Sequence, residues 1–414
     1  MDDAPGSADV SDYRYAWGAE AQTLQVRIED DTLRDGLQGA YVRRPDLQER
    51  LDLLRLSVAC GTDAIMLGFP GASATERAEG HRFIEVIEAE ALDVTPRFLA
   101  RPVPQDLEAI ADLNQAAGVD VWADFFVCAS PIRRRVEGWT LDGLVHAVRE
   151  SSALLNARGV RFGVSLEDAS RTPPADLAVI LEAAQRGGAR VVTVCDTVGA
   201  CTPAAAARLV SFVRDHAEDV EVWWHGHDDR GLGLAAALAA AQAGADGISG
   251  AFLGLGERAG NTPLELVLLN LCLAGEARFN LRAAYDYCQA LATATGTHIP
   301  PHTALVGAQA FATQAGTHGA AVLKARALGR GFEDEVFCAV PAALVGLPQR
   351  VVVGPASGRA IARDALQLAG LPTTPQHISA VLAEARRTRR WLETADLHRV
   401  CAQADAPPAP STVG

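Results

Sequence analysis

The 414-residue sequence predicts an α/β chain: a (β/α)8 TIM barrel followed by a mostly helical C-terminal region. Eight short β-like runs alternate with Ala/Leu-rich stretches of helical length over about 250 residues. Helix start and stop signals punctuate the alternation. The polar residues that carry chemistry follow directly after the runs, where a barrel places its reactive rim. A doubly wound sheet is the alternative, and the count of eight favours the barrel.

The first run, 24–29, leads into Asp-Thr-Leu-Arg-Asp-Gly-Leu-Gln at 31–38. The second, 64–68, comes after a stretch closed by Gly61, and the third, 96–99, feeds a helix over 104–117 that ends at Gly118. The fourth, 119–128, precedes a helix over 141–158 closed by Gly159. The fifth, 160–166, is followed by Glu-Asp-Ala-Ser-Arg-Thr at 167–172 and a Pro173-Pro174 helix start. After the sixth, 190–195, comes Asp-Thr-Val-Gly at 196–199, then a helix over 203–216 announced by Thr202-Pro203. The seventh, 221–226, runs into His-Gly-His-Asp-Asp at 225–229, with a helix over 232–243 closed by Gly244. The eighth, 246–251, precedes Gly-Leu-Gly-Glu-Arg-Ala-Gly-Asn at 254–261.

Residues 1–22 and 405–414 read as loose tails, 23–283 as the barrel, and 284–404 as an appended helical lid, dimerisation or regulatory region. Helices are expected there over 286–295, 306–313, 320–327 and 375–391. A net charge of −14 without a long basic block argues against nucleic acid or an anionic membrane as the main partner. With no run of membrane-spanning length and no signal-peptide pattern at the start, a cytoplasmic protein is expected. Eight cysteines without a Cys-x-x-Cys pair indicate neither a zinc knuckle nor a disulfide framework.

His225 and His227, two apart at a strand end, face one side together. With Asp35 they supply two imidazoles and a carboxylate, which suits a divalent cation with positions left open for substrate; Asn261 can add a carbonyl oxygen. The plain alternative is that Asp35 pairs with Arg34 and the imidazoles are satisfied core groups. Arg34 can stabilise an oxyanion or sit in an ion pair. Glu167 can act as a general base or pair with Arg171. Thr197 can bond a carboxylate or cap the helix near Pro203. His318 is a loop histidine or a proton-transfer group brought by the helical region. Gly254, Gly256 and Gly260 allow close backbone approach, but a Gly-x-Gly that does not follow the first strand is no dinucleotide fingerprint.

Together these motifs resemble the metal-dependent barrel family of 2-isopropylmalate, homocitrate and citramalate synthases, to which hydroxymethylglutaryl-CoA lyases are related. The resemblance runs from Val26 to Arg359 and rests on 30–38, Ser-x-Glu-Asp-x-x-Arg at 165–171, 196–199, His-x-His-x-Asp-x-Gly at 225–231, 254–261, 310–318 and 357–359. It implies a Claisen-condensing acyltransferase of amino-acid or secondary-metabolite biosynthesis. Acetyl-CoA would join a 2-oxo acid to give an alkyl- or carboxyalkyl-malate type 2-hydroxy acid and CoA. Asp35, His225 and His227 would bind Mg, Mn or Zn, with Asn261 a further or indirect ligand. Arg34 would polarise the acceptor carbonyl, and Glu167 with His318 would take the methyl proton. Gln38, Asp124, Thr197 and Arg133 are the substrate-binding candidates, and a homodimer is implied.

Three positions depart from the pattern. Met66 stands where the family has Glu, so a contact to Arg34 is missing or replaced. Gly163 stands where homocitrate synthases carry Arg, whereas Asp124 looks like the homocitrate type and Leu99 like the isopropylmalate type. Arg133 can read an acidic acceptor or belong to a solvated charge run. The length implies that the leucine-type regulatory domain of many isopropylmalate synthases is absent. A retro-Claisen lyase and a non-catalytic metal- or ligand-binding homologue are the alternatives; the lyases' cysteine is absent from 251–261.

Overall fold

A computed structural model describes residues 24–406 apart from Glu218 and Arg330. The expected tail 1–22, and all but the first two residues of 405–414, lie outside the described residues. The chain divides into two compact units, one ending at Ile299 and one starting at Pro300.

In the first unit eight parallel strands close a barrel in sequence order. They are β1 (Arg27–Asp30), β2 (Ala64–Met66), β3 (Thr95–Ala100), β4 (Trp122–Cys128), β5 (Phe162–Glu167), β6 (Val191–Asp196), β7 (Glu221–Gly226) and β8 (Gly247–Gly250). Closure is made by β1 against β8, with Ile28 opposite Ile248 and Asp30 opposite Gly250. The surrounding helices start and stop on local chemistry. Helix α1 (Leu47–Cys60) opens with a capping box between Asp46 and Glu49 and ends at Gly61 in the left-handed region. Ahead of the helix Pro203–His216, the Thr202 hydroxyl accepts from the Ala205 amide.

Trp223, with Ala64, Val191 and the flanking Trp122, forms the barrel's floor. Gly247 lies against the Trp223 indole, where any Cβ would overlap the ring. An arginine stacks on this floor: the Arg97 guanidinium carbon is 4.8 Å from the Trp223 ring centroid. The polar end of the barrel begins above it.

The expected boundary at 283/284 is corrected. Helix Leu281–Thr295 belongs to the barrel unit. Tyr287 stacks on Phe252 after β8 (centroids 4.0 Å), and the Arg43 amide donates to the Thr295 carbonyl.

The second unit packs Val322, Val353, Ile361, Leu366, Val381 and Val400 into its own core. Its elements are β9 (Ala312–Thr313), β10 (Arg350–Val351) and the helices Gly316–Leu328, Arg359–Leu368, Pro375–Thr388 and Thr394–Asp405. The helix expected over 306–313 is instead a series of turns ending in β9, which pairs in parallel with β10. Among the described residues no helix is long and apolar enough to cross a membrane.

Candidate metal centre and its cavity

Beyond β1 the chain coils tightly, because the Asp35 and Gly36 amides both donate to the Asp31 carbonyl. This turn lifts Arg34 and Asp35 over the barrel mouth. The period of β7 aims His225 and His227 at the same spot. One ligand atom from each of Asp35, His225 and His227 lies within 4.8 Å of the others, and all three residues are buried. The two Nε2 atoms stand 3.6 and 3.9 Å from Asp35 Oδ2. Those separations are too long for hydrogen bonds and close to the roughly 3–3.5 Å between ligands that share an ion at about 2.1 Å.

The far nitrogens are held. His227 Nδ1 lies 3.2 Å from the Gly260 carbonyl and His225 Nδ1 lies 3.2 Å from the Ser249 hydroxyl. A carbonyl only accepts, so His227 carries its proton on Nδ1 and presents the Nε2 lone pair to Asp35. Burial drives the His225 imidazolium down to about 3 and lowers that of His227, so both rings are neutral at pH 7. Burial pushes Asp35 upward, but Arg34, His225, His227 and Asn261 outweigh it and hold its carboxyl below the usual range.

Asn261 stands against Asp35. Its amide nitrogen donates to Asp35 Oδ1 at 3.0 Å and to the Leu255 carbonyl at 2.9 Å, which fixes the amide's orientation. Its Oδ1 is buried with no hydrogen-bond partner. An orphaned carbonyl oxygen beside a carboxylate and two neutral imidazoles fits a divalent cation. The loop's glycines serve this placement. Gly260 turns with φ +90° against the Gly254 carbonyl, and a Cβ at Gly256 would collide with the Asn261 amide.

A cavity of about 360 Å³ opens over the centre. Of the expected site residues it brings together Arg34, Asp35, Gln38, Asp124, Glu167, Thr197, His225 and His227. Arg34 donates to Asp35 Oδ2 at 2.9 Å and to Asp31, while its Nε is buried and unbonded. Met66 lines the cavity, so Asp31 and Asp35 are Arg34's partners in place of a glutamate there. Burial raises Glu167 above its ordinary value, and Arg133, 3.7 Å away, partly offsets this. Arg171 pairs with Asp168 and leaves Glu167 free of it. The Thr197 hydroxyl accepts from the Asp168 amide at 2.8 Å and keeps its own proton to donate; the helix cap near Pro203 is Thr202.

Two expected residues stand elsewhere. Arg133 lies on the short helix Pro131–Glu137, between Glu137, Glu167 and the Trp139 ring, outside the cavity's lining. His318 is on the helix Gly316–Leu328 in the second unit, exposed and stacked on Phe337.

Sequence reasoning missed Arg97. It is 2% exposed and grips Asp124 with Nε and Nη2 at 2.7 and 2.6 Å, while Nη1 lies 2.9 Å from Glu29. The available signal was a lone arginine inside the apolar run of β3.

A TIM barrel with a two-histidine, one-carboxylate centre at the C-terminal ends of its strands defines the class. The HMGL-like family model matches residues 25–295, and the chain belongs to that family. A probable 2-isopropylmalate synthase of Methanopyrus kandleri is 33% identical over 366 residues, 87% of this chain and 69% of that protein. The 2-isopropylmalate synthase of Pyrococcus abyssi is 30% identical over 396 residues, 91% of this chain and 77% of the relative. In fold, the HMG-CoA lyase of Brucella melitensis superposes with a TM-score of 0.56 at 20% identity, covering 65% of this chain and 98% of the lyase.

Proposed function

We propose that the protein condenses acetyl-CoA with a 2-oxo acid, releasing CoA and a 2-hydroxy acid of the malate type. The observation that carries this reading is the sharing of one cavity by the Asp35–His225–His227 centre, Arg34 and Glu167. Relatives named 2-isopropylmalate synthase, about 30% identical along most of their length, support it.

A divalent cation held by Asp35, His225, His227 and the Asn261 oxygen would supply positive charge against the acceptor's 2-oxo and carboxylate oxygens. Thr197 donates its free hydroxyl proton to that carboxylate. Glu167, poised upward by burial, removes a proton from the acetyl methyl group. The resulting enolate carbon bonds to the acceptor's C2, and the carbonyl electron pair moves onto oxygen beside Arg34. Water then cleaves the thioester, leaving a carboxylic acid and the CoA thiol. His318, by the resemblance alone, is proposed as a second proton-transfer group, and the protein as a homodimer. His318→Ala with lowered kcat and an unchanged thermal midpoint, and a two-copy mass by light scattering, are the expected results.

The test is thiol release from acetyl-CoA against a panel of 2-oxo acids with and without EDTA. Release that needs both acceptor and metal is expected. Release indifferent to complete metal removal, or cleavage of hydroxymethylglutaryl-CoA in its place, overturns the reading.

A further inference from the structure

Resting on the condensing reading, we infer that Arg97 determines acceptor specificity: it closes the cavity's inner end with an internally paired Glu29–Arg97–Asp124 cluster, two carboxylates on one guanidinium, selecting 2-oxo acids with an uncharged side chain.

Three observations carry this. First, Asp124 lines the cavity, but both of its oxygens accept from Arg97, and it is fully buried. An aspartate free to read a substrate donor would not be locked in a bidentate pair. Second, the pair occupies the room where β5 would place a side chain. Gly163 lies opposite Asp124 in the strand register; a Cβ there would overlap Asp124 Oδ1 and stand 3.0 Å from Arg97 Nη2. No arginine reaching from position 163 fits while Arg97 holds Asp124. Third, the cavity's charge is one-sided. Among the described lining residues, Arg34 alone carries a guanidinium, already bonded to Asp31 and Asp35, against six carboxylates. An acceptor with a second carboxylate would bury it beside Asp124 without a counter-cation. Met66, Leu99 and Phe126 offer apolar wall for an uncharged chain instead.

Arg97 itself is outside the lining and touches no substrate. Its influence passes through Asp124, and that pairing makes it a switch by mutation. Asp124→Ala removes one of the two carboxylates and opens space, so the Nε and Nη2 donors of the guanidinium are left without an acceptor beside the cavity. The Arg97→Met/Asp124→Leu double variant removes both of these charges, so no guanidinium is left to meet a second carboxylate, and Glu29 is the charged group that remains of the cluster.

The test compares kcat/KM for 2-oxoisovalerate and 2-oxoglutarate, together with the thermal shift each acceptor gives with Mn2+ present. In the native protein the uncharged acceptor should win by about a hundredfold or more. In Asp124→Ala the ratio should move at least about tenfold toward 2-oxoglutarate, chiefly through its KM, and in the double variant it should not. Asp124→Asn, of the same shape, serves if Asp124→Ala does not fold. Equal use or binding of the dicarboxylic acceptor by the native protein, or an unmoved ratio in the Asp124 variants, overturns the inference. Absence of CoA release with every acceptor defeats the condensing reading instead, and the thermal shifts still decide the discrimination.

Discussion

Two arginines in one barrel, each set between two carboxylates, teach different things. At the mouth, Arg34 bonds Asp31 and Asp35 yet keeps a buried Nε unbonded and faces the cavity. Below it, Arg97 donates twice to Asp124, forms an ion pair with Glu29, stacks on Trp223 and lies outside the cavity's lining. The upper cluster is left incomplete, as a site must be if a substrate oxygen is to join it. In the lower cluster both oxygens of Asp124 are taken up by Arg97, and the atom left unbonded is a carboxylate oxygen, Glu29 Oε1, which offers a substrate carboxylate nothing to bind. Which atom is left over, a guanidinium nitrogen above and a carboxylate oxygen below, separates the two more clearly than burial.

The comparison can be broken at its upper half first. His227→Ala should lower CoA release by about a thousandfold or more and remove bound metal, with circular dichroism unchanged. Full activity in that variant would sink the metal assignment. Arg34→Met should cost about a hundred- to a thousandfold in kcat and leave metal content intact. Loss of folding in place of loss of rate would place Arg34 with Arg97 as a structural group.

The lower half should respond in stability. Arg97→Met strands Asp124 and Glu29 as buried carboxylates, and a loss of about 3–5 kcal/mol is expected in urea unfolding. The Arg97→Met/Asp124→Leu double variant should regain the part due to Asp124 while Glu29 stays without a cation, and equal losses in both would show that the Arg97–Asp124 pair is not the cause. The finest distinction is one of pH. Glu167 must be ionised to act, and burial raises it, so the acid limb of kcat/KM should lie above the ordinary glutamate value, with activity present above the limb and lost as pH falls through it. Removing the partly offsetting charge by Arg133→Gln should move that limb further upward. A limb unmoved by Arg133→Gln and positioned at the ordinary value would assign the proton to another group.

Much of this was legible because it is local. The alternation of runs and helices, the glycine stops and the His-Gly-His at a strand end are patterns within a few residues, and the barrel and the candidate metal centre follow from them. The lower cluster is not local. Arg97 meets Asp124 27 residues away, across β3 and β4, and Glu29 from β1. Gly163 reads as a missing side chain until its Cβ is seen to overlap Asp124. The helix Leu281–Thr295 looks like the start of the appended region because its amphipathic pattern does not say which core it covers; Tyr287 against Phe252 says it. Likewise the segment 306–313 has helical composition, but turns take its backbone hydrogen bonds.

Gly260 carries no side chain, yet its carbonyl sets the proton of His227 and its turn brings Asn261 against Asp35. In a saturation screen for growth, every substitution at this codon should therefore score with the loss of a ligand. The inherited record of the metal centre is longer than its list of donor atoms, and includes a letter chosen for what it leaves out.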